Sequence, residues 1–236
     1  MRQASFLKFS KVVLALVLVF VNTCSGCTTR DRETSPVTRE TINGQSGLRV
    51  LPTDIHNAFL KYALADRRVE ACRRLFESRR LGERPASSFT IEGRNRDGIL
   101  ARVTVMIFLG PDPTAAGALA FLQGNEQSRV CACIARTIDG GALSERASLA
   151  LTEYAVQDNG QVTPFEMVSG DTTGTGNHEG FWNCVGASSV AGTVLCTLKC
   201  LPAGPAYAEC LIACTGWAIL SALVGCAFAE LLDNSD

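Results

Sequence analysis

Hydrophobic positions follow two different periods in the first 168 residues, and the period changes near Pro85. Between residues 51 and 81, apolar residues recur every three or four positions, which predicts two helices. Pro52 suits the first turn of such a helix. The predicted apolar stripes are Ile55, Phe59, Tyr62 and Ala63 on the first helix, and Val69, Cys72 and Phe76 on the second.

After Pro85 the pattern alternates with period two, which predicts strands separated by short turns rich in Gly, Pro, Asp and Asn. The residues Asp158-Asn159-Gly160 are typical of a tight hairpin. Short consecutive connections favour an antiparallel meander. We therefore predict an α+β module over residues 50–168, with helices packed on one face of an antiparallel sheet and one modest core. The predicted strands are residues 87–92, 99–109, 116–123, 130–138, 149–156 and 161–168.

The last 53 residues, 184–236, are far more apolar than the rest of the chain. Residues 184–198 and 211–229 contain no charge, and the segment as a whole has a net charge of −3. Residues 201–205 are Leu-Pro-Ala-Gly-Pro, a helix-breaking turn. We predict a helical hairpin with helices near residues 185–200 and 207–232.

Six cysteines in this tail have a mirror-symmetric spacing, with gaps of eleven, three, nine, three and eleven residues. Residues four apart lie on one face of a helix, so two antiparallel helices would face each other cysteine to cysteine. Six cysteines allow fifteen connectivities, and the symmetry favours the nested one. The outer pair also needs a frayed or bent helix end, since a straight helix turns it about 120° away. The favoured bridges are Cys200–Cys210, Cys196–Cys214 and Cys184–Cys226.

A hairpin this small cannot bury its apolar surface within itself. It must pack on another domain, enter a membrane or self-associate. A stapled docking or dimerisation element and a membrane-active element both remain open at this point.

The amino-terminal residues 1–26 predict export. Three basic residues precede ten apolar ones at 12–21, which is typical of a secretory signal and short for a membrane span. Ser25 and Gly26 before Cys27 are similar to a bacterial lipobox, which would make Cys27 the lipidated first residue. Ordinary cleavage near Gly26 is the alternative. Export in either form permits disulfides and predicts a secreted or envelope-associated protein.

Two further segments are polar. We predict a flexible tether over residues 27–49, and a mobile linker over residues 169–183 that is a favourable site for proteolysis. The predicted order is therefore signal, tether, α+β module, linker and cysteine-rich tail.

Catalytic and metal-binding motifs are not evident. The chain has only two histidines, His56 and His178, and neither has a nucleophile or ligand set at a suitable spacing. Cys72, Cys131 and Cys133 fit a core or disulfide role better than a zinc site, and Cys131 and Cys133 should share one face of a strand. The arginines of the second helix have acids interleaved, as on a solvated face. We predict a protein that is not an enzyme, with no cofactor, metal or nucleic-acid partner.

The tail is similar to one known family. Its stretch from Cys184 through Cys196-Thr-Leu-Lys-Cys200 to Cys210-Leu-Ile-Ala-Cys214 and Gly225-Cys226 resembles the halocin-type (microhalocin) bacteriocin precursors. The resemblance implies that the carboxyl-terminal peptide is released as an antimicrobial that acts on target-cell membrane lipids. It also implies that the amino-terminal module acts as a pro-region or immunity region that masks the tail.

A second function fits the same residues. The chain can be a non-enzymatic lipoprotein anchored in its own envelope, whose stapled hairpin binds membrane lipid or another protein. Recovery of only full-length protein from envelope fractions would favour that alternative.

Overall fold

The computed structural model describes residues 38–42, 45–125, 127–138, 140–143, 149–164 and 180–232. These residues form eight β-strands, five α-helices and one 3₁₀ segment. The strands make a single antiparallel sheet in which every strand pairs with its neighbours in the chain, in the order β1 to β8. The strands are β1 Thr38–Ile42, β2 Gln45–Val50, β3 Ser87–Arg94, β4 Leu100–Leu109, β5 Ala115–Gln123, β6 Ser128–Thr137, β7 Leu149–Val156 and β8 Val162–Pro164.

The meander confirms the predicted fold class, and strands β3 to β7 begin and end within two residues of their predicted bounds. The turn before β8 forms as predicted: Gly160 has φ +84°, and the side-chain oxygen of Asn159 accepts a hydrogen bond from the Gln161 amide at 2.7 Å. Residues 165–168 of the last predicted strand lie outside the described residues.

Two parts of the predicted domain organisation need correction. Strand β1 and all but the last residue of β2 lie inside the predicted tether 27–49, so the sheet already includes Thr38, the first described residue. The sequences of both strands are largely polar and do not alternate clearly; β2 pairs with β3, and β1 pairs with β2. The predicted linker 169–183 also extends too far, because Phe181–Asn183 belong to a helix. The signal, Cys27, and residues 169–179 lie outside the described residues.

One face of the sheet is covered by helices α1 Thr53–Leu64 and α2 Arg67–Ser78. The predicted stripe of α2 is confirmed, because Val69, Cys72 and Phe76 are all buried. The predicted stripe of α1 is wrong at Ile55 and Tyr62, which are 42% and 60% exposed, and right at Ala63, which is buried. The helix turns His56, which was not in the predicted stripe, towards the sheet together with Ala63.

His56 faces the sheet, where two hydroxyl groups lie within hydrogen-bond distance of its ring nitrogens. Its Nδ1 lies 2.8 Å from Thr90 Oγ1, and its Nε2 lies 3.0 Å from Ser88 Oγ. Thr90 Oγ1 in turn lies 3.0 Å from Thr104 Oγ1. A polar network of this kind satisfies groups that would otherwise be buried without partners.

The cysteine-rich tail covers the opposite face of the sheet. It forms α3 Phe181–Val185, α4 Ala187–Lys199, the 3₁₀ turn Leu201–Ala206 and α5 Tyr207–Leu232. Gly186 (φ +83°) interrupts the helical conformation between α3 and α4, and α5 bends at Gly216 (φ +76°). Both positions favour glycine, because L-residues rarely adopt such φ values.

Three disulfides join the described cysteines of the tail: Cys184–Cys226, Cys196–Cys214 and Cys200–Cys210. They are the nested pairs that the mirror-symmetric spacing favours. The interruption at Gly186 places Cys184 on the separate short helix α3. Cys184 can therefore face Cys226, which it could not do at the end of one straight helix. A disulfide-stapled helical hairpin is therefore confirmed.

The sheet separates two hydrophobic cores where the sequence predicts one. Side chains such as Met106, Leu119 and Phe121 pack with α1 and α2 on one face. Side chains such as Val105 and Ile107 pack with the tail on the other. The sheet and the tail belong to one compact unit, residues 36–236.

Acid is expected to destabilise the fold through His56. Burial lowers the pKa of His56 from 6.5 to about 4. A base with a lowered pKa contributes stability above pH 6.5 that is lost as the pH falls towards 4, on the order of 2–3 kcal/mol. Urea denaturation of the native chain and of His56→Gln between pH 4 and 7 should show this loss in the difference between the two proteins, because the opposite slope expected from the raised pKa of Glu153 is common to both. An equal acid slope in both proteins would contradict the assignment.

The outer disulfide is expected to stabilise the chain most, because it closes a loop with a sequence separation of 42 residues. Replacing Cys184 and Cys226 together by Ala should lower the free energy of unfolding by about 4 kcal/mol in guanidinium. Cys72→Ala removes a free thiol and should cost less than half as much. Non-reducing peptide mapping supplies the direct check, and a Cys196–Cys200 or Cys210–Cys214 linkage would overturn the nested arrangement.

Candidate functional site

The contact between the sheet and the tail is the most extensive apolar arrangement among the described residues. The floor on β5 and β6 is made of small side chains, including Ala118, Ala120 and Cys133. Small residues leave room for bulky ones from the opposing layer. The tail supplies those: its buried members include Phe181, Trp182, Val185, Val190, Val194, Leu211, Leu220, Leu223, Val224, Phe228 and Leu231.

Glycine on the sheet allows the longest tail helix to approach closely. A Cβ atom at Gly93 of β3 would lie 3.2 Å from Val224 Cγ1 and 3.2 Å from Leu48 Cδ1. Such distances are tighter than ordinary van der Waals contact. Helix α5 therefore rests directly on the backbone of the sheet at this point.

Trp182 anchors the start of the tail. Its side chain is fully buried, and its Nε1 donates a hydrogen bond to the backbone carbonyl of Cys131 at 3.1 Å. Its ring packs edge-to-face with that of Phe181, with ring centroids 4.9 Å apart. A buried tryptophan whose N–H is also satisfied combines large apolar burial with a fixed orientation.

Glu153 of β7 binds the backbone of the same helical turn. Its side chain is only 2% exposed, and its two oxygens accept hydrogen bonds from the amides of Trp182 (2.9 Å) and Asn183 (3.1 Å). These amides have no partner inside a helix, so the carboxyl oxygens of Glu153 are well placed to satisfy them. Gly180 fits over this carboxyl: a Cβ there would lie 2.6 Å from its atoms.

The protonation of Glu153 differs from that of an ordinary glutamate. Burial raises its pKa from 4.5 to about 7, the amide hydrogen bonds of Trp182 and Asn183 oppose the shift, and the charge of Glu230 adds to it. Glu92, on the other face of the sheet, shows the contrast. Burial raises its pKa too, but hydrogen bonds and charge from Arg102 and Arg49 outweigh burial and leave it below the usual value.

Polar groups inside the tail are satisfied by its own backbone. The hydroxyls of Thr193, Thr197 and Thr215 each donate to the carbonyl four residues earlier, at 2.8, 2.5 and 2.6 Å. Tyr207 links the tail to the sheet, with its hydroxyl 3.2 Å from Ser87 Oγ. Burial raises the pKa of Tyr207.

The side of the tail that faces away from the sheet carries mainly small residues. Ala213, Cys214 and Ala218 are exposed, and the exposed large side chains of the tail are Leu201 in the turn and Leu232 at the end of α5. The bulky apolar side chains thus lie on the docked side. Within the described tail the charged residues are Lys199, Glu209 and Glu230.

Helix α5 is long and apolar enough to cross a membrane, by length and composition. More than half of its most apolar window is buried in the folded chain, as in the core helix of a soluble protein. The bend at Gly216 leaves residues 217–232 as its longest straight part, about 24 Å at 1.5 Å per residue. That is shorter than a bilayer core of about 30 Å.

The three cysteines outside the tail lie on both sides of the sheet. Cys131 and Cys133 share the tail-facing side of β6 as predicted, whereas Cys72 lies on the opposite side of the sheet, and all three are buried free thiols. The described residues include no group of three or more His, Cys, Asp or Glu side chains placed to hold a metal ion. His178 lies outside the described residues.

The arginines of α2 are partly engaged with acids. Arg68 pairs with Asp66 at 2.7 Å and with Asp158 at 3.1 Å, and Arg73 pairs with Glu70 at 2.8 Å. A shallow depression of about 370 Å³ is lined by Asp66, Arg67, Arg68 and Asp158. Its charges largely neutralise one another, which is typical of a solvated face.

Sequence reasoning missed the residues that hold the tail in place. The predicted linker 169–183 includes Phe181 and Trp182, although two adjacent aromatics just before the first tail cysteine are a signal for an anchor. Glu153 shares its side of the strand with Leu151, so an acid at an apolar position was the available sign.

No protein-family model matches this chain, and no curated protein or solved structure shows a significant match to it. The residues themselves therefore carry the functional argument.

Replacing Trp182 by Ala is expected to destabilise the docked tail strongly, because it leaves a cavity and removes the bond to the Cys131 carbonyl. The expected loss is about 3–5 kcal/mol in the free energy of unfolding, measured by urea denaturation. Trp217→Ala is the matched control: Trp217 is only half-buried, so its loss should be less than half as large. Equal losses would contradict the anchoring role of Trp182.

Proposed function

We propose that this protein is the exported precursor of an antimicrobial peptide, and that the sheet masks the membrane-active face of the six-cysteine tail. One observation carries the proposal. The tail presents most of its bulky apolar side chains to the sheet and mainly small ones to solvent, so the face best suited to lipid is the face that is covered.

The covalent structure of the tail supports its release as a unit. All three disulfides join tail cysteines to one another, and among the described residues no disulfide joins the tail to the sheet. A cut between Pro164 and Gly180 would therefore leave the hairpin stapled but held to the sheet only by non-covalent contacts.

The chemistry of the tail suits a lipid environment. A buried polar group in a bilayer must find its partner within the protein, and the three threonine hydroxyls already do so within their own helices. The stapled hairpin presents few charges, so hydrophobic insertion rather than attraction to anionic lipid would dominate binding. The bend at Gly216 favours shallow insertion over a full span.

A second candidate function is an envelope protein that keeps its tail. The tail covers strands β2 to β7 on one face of the sheet, so it forms part of the core of the intact chain. In this case the chain would act intact, as a non-enzymatic lipoprotein that binds lipid or protein. Intact-mass analysis of culture fluid and membrane fractions separates the two, because only the precursor yields a tail-sized peptide with three intact disulfides.

A vesicle experiment tests the membrane activity. A specific protease site is placed within residues 169–179 of the full chain, and dye release is followed from vesicles of phosphatidylethanolamine and phosphatidylglycerol. The uncut chain should cause little release, because the apolar face is covered. The cut chain should cause release, whereas a full chain without the protease site should cause little release after the same protease treatment.

Two matched substitutions on α5 assign the activity to a face of the tail. Leu220→Asn lies on the docked side and should abolish dye release after cleavage, whereas Ala218→Asn lies on the exposed side and should preserve it. No release from the cut native chain, together with no growth inhibition across a broad indicator panel, would overturn the proposed function in favour of the envelope protein.

A further inference from the structure

The carboxyl group of Glu153 lies at the joint between the sheet and the first turn of the tail. Its Oε1 accepts from the Trp182 amide and its Oε2 accepts from the Asn183 amide, so both oxygens hold the same turn. The neighbouring Trp182 side chain bonds to the carbonyl of Cys131 on the adjacent strand. Any separation of the tail from the sheet at this end must break these three bonds.

The surroundings of Glu153 are poor at stabilising a negative charge. Its register partner on β6 is Cys133, a buried thiol, with Cys131 two residues away on the same side. Helix α4 carries no ionisable side chain before Lys199 at its end, because Cys196 is bridged to Cys214. Helix α5 contributes Glu230, whose negative charge acts on the Glu153 carboxyl. Unlike Glu92, whose partners are Arg49 and Arg102, Glu153 has backbone amides as its hydrogen-bond donors.

The backbone at Gly180 packs closely against the Glu153 carboxyl group. The Gly180 φ of +91° brings the chain so near that a Cβ atom would lie 2.6 Å from the Glu153 carboxyl carbon and both oxygens. A charge on Glu153 is therefore poorly hydrated while the tail is docked, and burying such a charge is costly. Undocking of the first turn is the direct way to hydrate it.

We propose that Glu153 is a proton-controlled latch, whose protonated form keeps the tail docked and whose ionised form loosens the first turn of the tail from the sheet. The proposal deepens the proposed function, on which it rests for its biological meaning, by giving the masked state a means of regulation.

The direction of the response follows from linkage. Burial raises the pKa of Glu153 to about 7 in the docked state, against 4.5 for an ordinary glutamate. A carboxyl with a raised pKa contributes its full share to docking below pH 4.5 and loses it as the pH rises to 7. The tail would thus be held tightly in an acid medium and more loosely in a neutral one.

Hydrogen–deuterium exchange of the full chain tests the latch without any membrane. Protection of the Trp182 and Asn183 amides is measured by mass spectrometry between pH 6 and pH 8 and corrected for chemical exchange. For the native chain, protection should fall about tenfold over this range. The amides of β4 and β5 in the centre of the sheet should hold their protection. An equal fall in the tail and in these strands would mean global unfolding and would overturn the latch.

Two variants assign the effect to the carboxyl. Glu153→Gln cannot ionise, so its tail protection should be constant with pH. Glu92→Gln removes a buried carboxyl whose pKa is already low and should keep the native pH dependence. If Glu153→Gln unfolds, as the sheet amides would show, Glu230→Gln serves instead and should reduce the fall in tail protection, because it removes the neighbouring like charge.

The outcomes separate the two proposals. A native profile that is flat between pH 6 and pH 8 would overturn the latch while leaving the vesicle result untouched. A tail that undocks with pH but releases no dye would leave the latch in place and overturn the membrane activity.

Discussion

A sheet that is apolar on both faces is the constraint on which the rest of this structure depends. Neighbouring residues of β4 point in opposite directions, and Val105 and Met106 are both fully buried, one in each core. Many antiparallel sheets leave one face to water, but this one needs two covering layers. Helices α1 and α2 provide one layer, and the cysteine-rich tail provides the other.

The tail therefore meets two demands with the same side chains. Leu220, Val224 and Phe228 complete a protein core, and the same kind of surface would enter lipid if it were uncovered. The disulfides and the threonine hydrogen bonds lie within the hairpin and do not depend on contacts with the sheet. They therefore suit a hairpin that keeps its shape both in the protein core and in lipid. The contacts that do depend on the sheet are concentrated near Glu153 and Trp182.

Much of the fold could be predicted from the chain because its strongest signals are local. Alternating residues locate the central strands, and the symmetric cysteine spacing leads to the nested bridges. The errors occur where tertiary contacts decide. Ile55 and Tyr62 fit the apolar periodicity of α1, which predicts that they face the sheet. In the structure His56 faces the sheet instead, because its ring nitrogens bind the hydroxyls of Thr90 and Ser88. Strands β1 and β2 are largely polar; β2 pairs with β3 and β1 pairs with β2, and no local pattern shows either pairing.

The contact between the sheet and the tail was the least predictable part of the structure, since it joins residues that lie far apart in the sequence. The apolar excess of residues 184–236 shows that a partner surface is needed, but not which one. That the partner is the chain's own sheet depends on small side chains such as Ala118 and on Gly93 as much as on large ones. Small residues carry little signal in a sequence, because their role is to leave space.

The nested bridges also determine what a protease can do to the hairpin. The most exposed stretch of the tail is its turn, where Leu201, Pro202 and Gly204 are open to solvent. Every bridge spans this turn, from Cys200–Cys210 outwards. A nick there yields two helices that remain joined at three points, rather than two separate fragments. The enzyme that would free the tail could therefore also cut its tip without dismantling it, and only reduction would separate the two halves.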